Sequence, residues 1–152
     1  MQKILFKVYL DNCCYGRPFD DLSQAKIKNE ALAVKKVIAL SKQGKIIIVS
    51  SEFVKYEINQ IPLKNKRDKI LDFYYFNEYH VLTEQIGKLA KYYQSFGLKT
   101  FDSLHLAAAE KNNADFLLTT DVDLIKFSAR FSHKTIVKNP YDFIKEDVFN
   151  AT

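Results

Sequence analysis

Residues Asp115–Val122 read DFLLTTDV. The apolar run Phe116, Leu117 and Leu118 is short and unbroken by polar residues, the pattern of a strand buried on both faces. It closes on two hydroxyls, Thr119 and Thr120, and then on Asp121. A carboxylate is a poor end to a buried strand unless a cation lies beyond it, because an unpaired buried charge costs several kcal/mol. Asp121 therefore marks a site, and its surroundings decide what kind.

Working outward, TFDSLHLAAAEKN predicts a helix apolar nearly all round, with Thr100 as its candidate cap and Gly97 breaking the chain before it. Before that lies the helix EQIGKLAKYYQSF, preceded by the strand YHVLT at Tyr79–Thr83. At the start of the chain, ILFKVYL (Ile4–Leu10) reads as a buried strand. A helix follows from a Ser23 cap through Ile27, Ala31, Val34 and Ile38 to Gly44, and then a second strand, KIIIVSS, over Lys45–Ser51. EFVKYEINQI is a short helix stopped by Pro62, and KNKRDKILDFYYFN is another. After Asp121 come the helix DLIKFSAR and the strand KTIVK before Pro140.

Strands alternating with helices, and reading as continuous apolar runs, argue for a three-layer α/β/α sandwich with a central parallel sheet of about five strands. The 152 residues, 47% hydrophobic, suit one domain spanning 1–152. An aromatic content of 14% is too high for a disordered chain, and the net charge of +5 fits a polyanionic partner without requiring one. Cys13 and Cys14 are adjacent, a poor geometry for a disulfide, and read as reduced thiols packed near a strand end. With no zinc spacing, signal peptide or membrane-length apolar run, the expectation is a cytoplasmic protein without membrane contact.

In open parallel sheets, ligands bind beyond the carboxyl ends of the strands. Asp11 follows the first strand, Glu52 and Glu57 lie in the helix after the second, and Asp121 follows the strand that opened this reading. Helical phase separates the two glutamates: Glu57 falls on the face of Phe53, Val54, Ile58 and Ile61, whereas Glu52 points away with Lys55 and Asn59. Asp102 is a fourth candidate, equally readable as a first-turn surface acid favoured by the helix dipole. His105 reads as a packed or hydrogen-bonded histidine rather than a ligand.

Carboxylates converging from Asp11, Glu57, Asp102 and Asp121 would repel, and at neutral pH a divalent cation is the simplest resolution. Oxygen ligands select a hard ion, Mg²⁺ or Mn²⁺, with Ca²⁺ also compatible. Thr119 or Thr120 is then placed to orient the Asp121 carboxylate or to bind a metal water.

The ordered segments VYLDNCCYGRPFDD, SSEFVKYEI, TFDSLHLAAAEKNNADFLLTTDVDL and IVKNP resemble the PIN domain family, which includes VapC-type toxins of toxin–antitoxin operons. The resemblance covers nearly the whole chain, and the pairing of FDSLHLAAAE with LLTTD is its most specific part. It implies a Mg²⁺- or Mn²⁺-dependent ribonuclease whose acidic metal ligands and catalytic residues are Asp11, Glu57, Asp102 and Asp121. It further implies RNA as substrate, a homodimer, and a cognate antitoxin if the chain is the toxin of a type II pair. Asp123 matches a second acidic position that some relatives use, and Asn12 a small polar position beside the first Asp. The segment GRPFDDLSQAKIKNE departs from compact toxins of the family: Arg17, Asp20 and Asp21 are read there as turn and ion-pair residues, although Arg17, Lys126 and Arg130 are candidates to meet substrate phosphate.

Three other readings compete. A non-catalytic RNA-binding or scaffold version of the fold would keep the basic surface without metal dependence. An aspartyl-phosphate phosphatase of haloacid dehalogenase type would show DxDxT where this chain has DNCCY, and a Rossmann nucleotide-binding module would carry a glycine-rich loop where only Gly16 is present.

Overall fold

The structure, a computed structural model, describes residues 5–148. Five parallel strands form one sheet: β1 (Lys7–Leu10), β2 (Ile47–Ser51), β3 (Glu78–His80), β4 (Phe116–Leu118) and β5 (Ile136–Lys138), in the order β3-β2-β1-β4-β5. The registers place Tyr9 beside both Val49 and Leu117. Val8, Tyr9, Leu10, Ile48, Val49, Leu117 and Leu118 are all fully buried. Successive strand residues point to opposite faces, so burial of consecutive residues requires cover on both sides, as the three-layer expectation states.

The helices that supply this cover are α1 (Asn12–Gly16), α2 (Ala25–Lys42), α3 (Glu52–Asn59), α4 (Lys64–Phe73), α5 (Glu84–Gln94), α6 (Thr100–Lys111), α7 (Val122–Ser128) and α8 (Pro140–Phe143). A 3₁₀ turn at Arg17–Phe19 and a π turn at Ile144–Val148 complete the described chain. Just past the end of α2 and its Gln43 cap lies Gly44, whose φ of 75° needs the left-handed region, and Gly97, at φ 101°, makes the expected break before α6.

Several boundaries differ from the sequence reading. The first strand starts at Lys7, and Ile4 lies outside the described residues. β3 is shifted toward Glu78, and Val81 and Leu82 beyond it are exposed. α2 is entered from Gln24 rather than Ser23, whose N–H donates instead to Asp21 Oδ1 in a turn at 3.0 Å. Thr100 is the first residue of α6, and Lys99 takes the cap position. Helices α1 and α8 were not expected. Each is short and depends on its cap: Asp11 accepts from Asn12 N, and Asn139 accepts from Tyr141 N ahead of Pro140. Among the described residues no helix is long and apolar enough to cross a membrane.

This topology fixes where a site can form. The chain runs from β1 outward through β2 to β3, then returns to lay β4 against the other side of β1. The order reverses between β1 and β4, and the crevice at their carboxyl ends is flanked by Asp11 and Asp121.

Candidate metal centre

Asp11 is 5% exposed and is held by three contacts. Its N–H continues the ladder by donating to Leu118 O at 3.1 Å, Oδ1 accepts from Asn12 N at 2.6 Å, and Oδ2 accepts from the Thr119 hydroxyl at 3.1 Å. Thr119 Oγ1 in turn accepts from Asp121 N at 3.1 Å. The hydroxyl expected to serve the Asp121 carboxylate thus orients Asp11 instead, and ties the ends of β1 and β4 together.

Glu57 faces inward as its helical phase predicts, its side chain 28% exposed, and its Oε1 bonds His105 Nε2. Glu52 is not simply solvated: it accepts from Leu82 N, pinning the chain just after β3. His105 is 1% exposed and central. Nε2 also lies 3.6 Å from Asp11 Oδ1, an ion-pair rather than a hydrogen-bond distance. On its other side Nδ1 is 2.7 Å from the Tyr9 hydroxyl, which is 2.6 Å from Ser51 Oγ.

Those contacts assign proton positions. Nε2 faces two carboxylates and carries a proton. In the neutral ring Nδ1 accepts from Tyr9, which accepts from Ser51; in the charged ring both bonds reverse. Burial opposes the charge, but the Asp11 charge, the bond to Glu57 and the Glu57 charge outweigh it, holding the His105 pKa above the ordinary histidine value. The expectation of a hydrogen-bonded histidine describes His105 correctly, yet understates its place at the centre of the acids. The i, i+3 spacing of Asp102 and His105 on one helix was the available signal.

Burial raises the Asp11 carboxyl pKa and Glu57 adds to the rise, while His105, Thr119 and Asn12 pull against it. Asp102 is pushed up to about 6, by burial first and then by the charges of Asp11 and Asp121, with His105 and Lys99 offsetting part. Asp102, Asp11 and Asp121 therefore share one electrostatic neighbourhood. Asp121 has a second task. It is the N-cap of α7, and its Oδ1 accepts from Asp123 N at 2.9 Å and Leu124 N at 3.3 Å. Asp123 is exposed and lines a small cleft with Asp102 and Lys99.

The ligand-type atoms of Asp11, Glu57 and His105 all lie within 4.8 Å of one another, but with its proton on Nε2 the histidine serves the two carboxylates as a hydrogen-bond and charge partner, leaving the carboxylates to face a metal. Hard carboxylate oxygens and excess negative charge suit a divalent cation, so the donor set fits the Mg²⁺ or Mn²⁺ implied by the resemblance. His105 Nε2, however, already neutralises part of the Asp11 and Glu57 charge.

The departing segment is structural. Arg17 Nε donates to the buried Glu30 at 2.9 Å and Nη1 to Asp20 at 2.9 Å, Lys66 reaches Asp20 at 2.8 Å, and Asn139 Nδ2 reaches Glu30 at 2.5 Å. Arg17 is thus committed to ion pairs and is not available for phosphate. Lys126 is exposed, and Arg130 lies 4.6 Å over the Phe127 ring. Cys13 and Cys14 are free thiols at the strand end: Cys13 Sγ is 3.4 Å from Thr120 N, and Cys14 donates to Leu118 O at 3.3 Å.

Comparison with known proteins agrees with this architecture. No curated protein matches the sequence. Solved structures share the fold, two of them as follows. One is VapBC2 from Rickettsia felis bound to a DNA fragment from its promoter, at 20% identity, TM-score 0.57, covering 88% of this chain and 98% of that one. The other is Mycobacterium tuberculosis VapC20, a sarcin-ricin loop cleaving toxin, at 12% identity, TM-score 0.57, covering 84% and 98%. The family model for the PIN domain matches residues 25–129, a span that includes Glu57, Asp102, His105 and Asp121 and begins after Asp11. On that match, with the fold and the acidic crevice in agreement, the chain belongs to the PIN domain family.

Proposed function

We propose that this protein is a metal-dependent endoribonuclease that hydrolyses RNA phosphodiester bonds, acting as the toxin of a toxin–antitoxin pair with a cognate antitoxin as partner. The observation that carries this reading is the gathering of acids at the β1/β4 switch point: Asp11 and Glu57 meet at His105, and the Asp102 pKa is raised by burial and then by the charges of Asp11 and Asp121. Similarity in fold to VapBC2 and VapC20 supports the biological role. A homodimer in the cytoplasm is the assembly and location this reading carries with it.

Asp11, Glu57, Asp102 and Asp121 would hold the metal. When bound, Mg²⁺ or Mn²⁺ supplies a lowered water pKa and charge neutralisation at the scissile phosphate. The chain's own residues do the rest. Thr119 fixes the Asp11 carboxylate, and Asn12 N–H holds its other oxygen. His105 orients Glu57 through Nε2–H and is itself oriented by Tyr9 and Ser51. With its carboxyl pushed up to about 6, by burial first and then by the neighbouring acids, Asp102 would bind a cation as the carboxylate and so give up its proton to do so at lower pH. The exposed Lys99 stands beside Asp102 to offset phosphate charge.

One observation favours a non-catalytic RNA-binding PIN domain instead: His105 gives Asp11 and Glu57 a counter-charge from within the protein. A single assay separates the two. Mixed single-stranded RNA and DNA are incubated with the protein in Mg²⁺ or Mn²⁺, and again with EDTA. Cleavage of RNA that is abolished by EDTA and by Asp11→Asn is expected; RNA binding without cleavage selects the alternative, and cleavage that survives chelation sinks the metal mechanism.

A further inference from the structure

Beside the acids lie two aromatic rings that the chemistry above does not use. Tyr56 immediately precedes Glu57 on α3, and Phe101 immediately precedes Asp102 on α6. Their rings are stacked, with centroids 5.6 Å apart and planes only 6° from parallel, yet 52% of Tyr56 and 37% of Phe101 are exposed. Phe53, Leu82, Leu104 and, at its edge, Glu52, whose carboxylate is engaged by Leu82 N, complete the shallow hollow around them. Its floor reaches the acid centre, because Phe53 packs edge-on to His105 with centroids 6.4 Å apart. Exposed lysines accompany both rings: Lys55 adjoins Tyr56, and Lys99 lies two residues before Phe101.

We propose that the Tyr56–Phe101 stack is a platform for an unpaired nucleobase next to the scissile phosphate, so that the substrate is single-stranded where it is cut. The proposal rests on the nuclease reading above and names the form of its substrate. Flat exposed rings, with exposed lysines close by in the chain, are the chemistry that recognises single strands, since every base offers a π-face and every nucleotide a phosphate. A duplex keeps its bases stacked on one another and offers no free face to the shelf. A second copy of this chain is the competing occupant. The net charge of +5 favours a polyanion over a second copy on this shelf, which assigns the homodimer contact to another face, and the shelf abuts the very acids that would act on the strand.

The probe is a mixed-sequence oligoribonucleotide of about 12 nucleotides, within the roughly 4–16 covered by known single-strand sites, carrying 2-aminopurine, whose fluorescence falls on stacking. Binding is measured in EDTA, cleavage in Mg²⁺ or Mn²⁺, and oligomeric state by sedimentation, for the wild type, Tyr56→Ala, Phe101→Ala, Tyr56→Phe and, as an equally exposed aromatic beyond β5, Tyr141→Ala. We expect each shelf alanine variant to lose single-strand affinity by about 5- to 150-fold and to lose the quench, with KM rising more than kcat falls. Tyr56→Phe, which keeps the ring, and Tyr141→Ala should behave as wild type, and a blunt duplex of the same sequence should bind equally to all. Cleavage with unaltered affinity in both alanine variants overturns the platform and leaves the nuclease reading standing. Lost affinity in a protein that never cleaves leaves the platform standing and removes the nuclease. Alanine variants that dissociate a dimer without changing affinity or quench assign the surface to a second copy and overturn the proposal.

Discussion

Replacing Asp102 by Asn should make the metal-free protein more stable near neutral pH while abolishing cleavage. Burial and the charges of Asp11 and Asp121 hold the Asp102 carboxyl at about 6 instead of 3.8. At 1.36 kcal/mol per tenfold, that displacement corresponds to about 3 kcal/mol. The side chain is only partly buried, and solvent screening reduces the expected cost of its charge to about 1–2 kcal/mol. Its first-turn position on α6 returns about 0.3–1 kcal/mol through the helix dipole, leaving a net gain for Asn of about 1 kcal/mol. The sign follows from proton binding. Between the unfolded value of 3.8 and the folded value of about 6 the native state holds the extra proton, so stability falls as pH rises through that window. Below it both states are protonated and the substitution is neutral. For a chain of this size, thermal unfolding in EDTA should therefore give Asp102→Asn a Tm about 2–4 °C higher than wild type at about pH 8, and no difference at about pH 3. Mg²⁺ or Mn²⁺ should then raise the wild-type Tm more than that of the variant, by about 2.7 kcal/mol of stabilisation at a hundredfold excess over Kd. Equal melting of the two proteins in EDTA at the higher pH, or the same difference at both pH values, would refute the crowding of charge on which the site is built.

Other substitutions probe separate supports. Glu57→Gln weakens the bond to His105 and should lower both metal affinity and stability, the latter by about 1–3 kcal/mol in urea unfolding; unchanged stability would show that the bond does not hold the histidine. Thr119→Val deletes the hydroxyl shared by Asp11 and Asp121 N, and should cost about 1–2 kcal/mol together with a fall in kcat, since Asp11 loses its orientation. A Val variant as active as the wild type would remove Thr119 from the site. Glu30→Ala leaves Arg17 and Asn139 without their buried partner and should destabilise by about 3–5 kcal/mol with little effect on metal affinity, as measured by calorimetry. A large loss of metal affinity without unfolding would mean that the Arg17 network reaches the crevice.

What the linear chain determined by itself is whatever depends on local periodicity. Unbroken apolar runs such as Phe116–Leu118 specified strands covered on both faces, and the acids just beyond them followed from the rule for parallel sheets. Glu57 was separable from Glu52 because a turn of 3.6 residues fixes which side chains share a face. Tertiary structure alone decided the partners. His105 and Glu57 are 48 residues apart, and Thr119 and Asp11 are 108 apart, so no periodicity relates them. The placing of β4 beside β1 put Thr119 against Asp11, and the packing of α6 brought His105 between two carboxylates. Asp121 was recognisable as a strand-end acid, and its use as the cap of α7 is equally local, since its Oδ1 reaches only Asp123 N and Leu124 N, two and three residues on. Arg17 was readable as an ion-pair residue, but that its partner would be the buried Glu30 was decided only by the packing of α2. Backbone geometry repeats over a few residues and can be read along the chain, whereas the pairing of charges is set by distances in space that the crossovers between strands create.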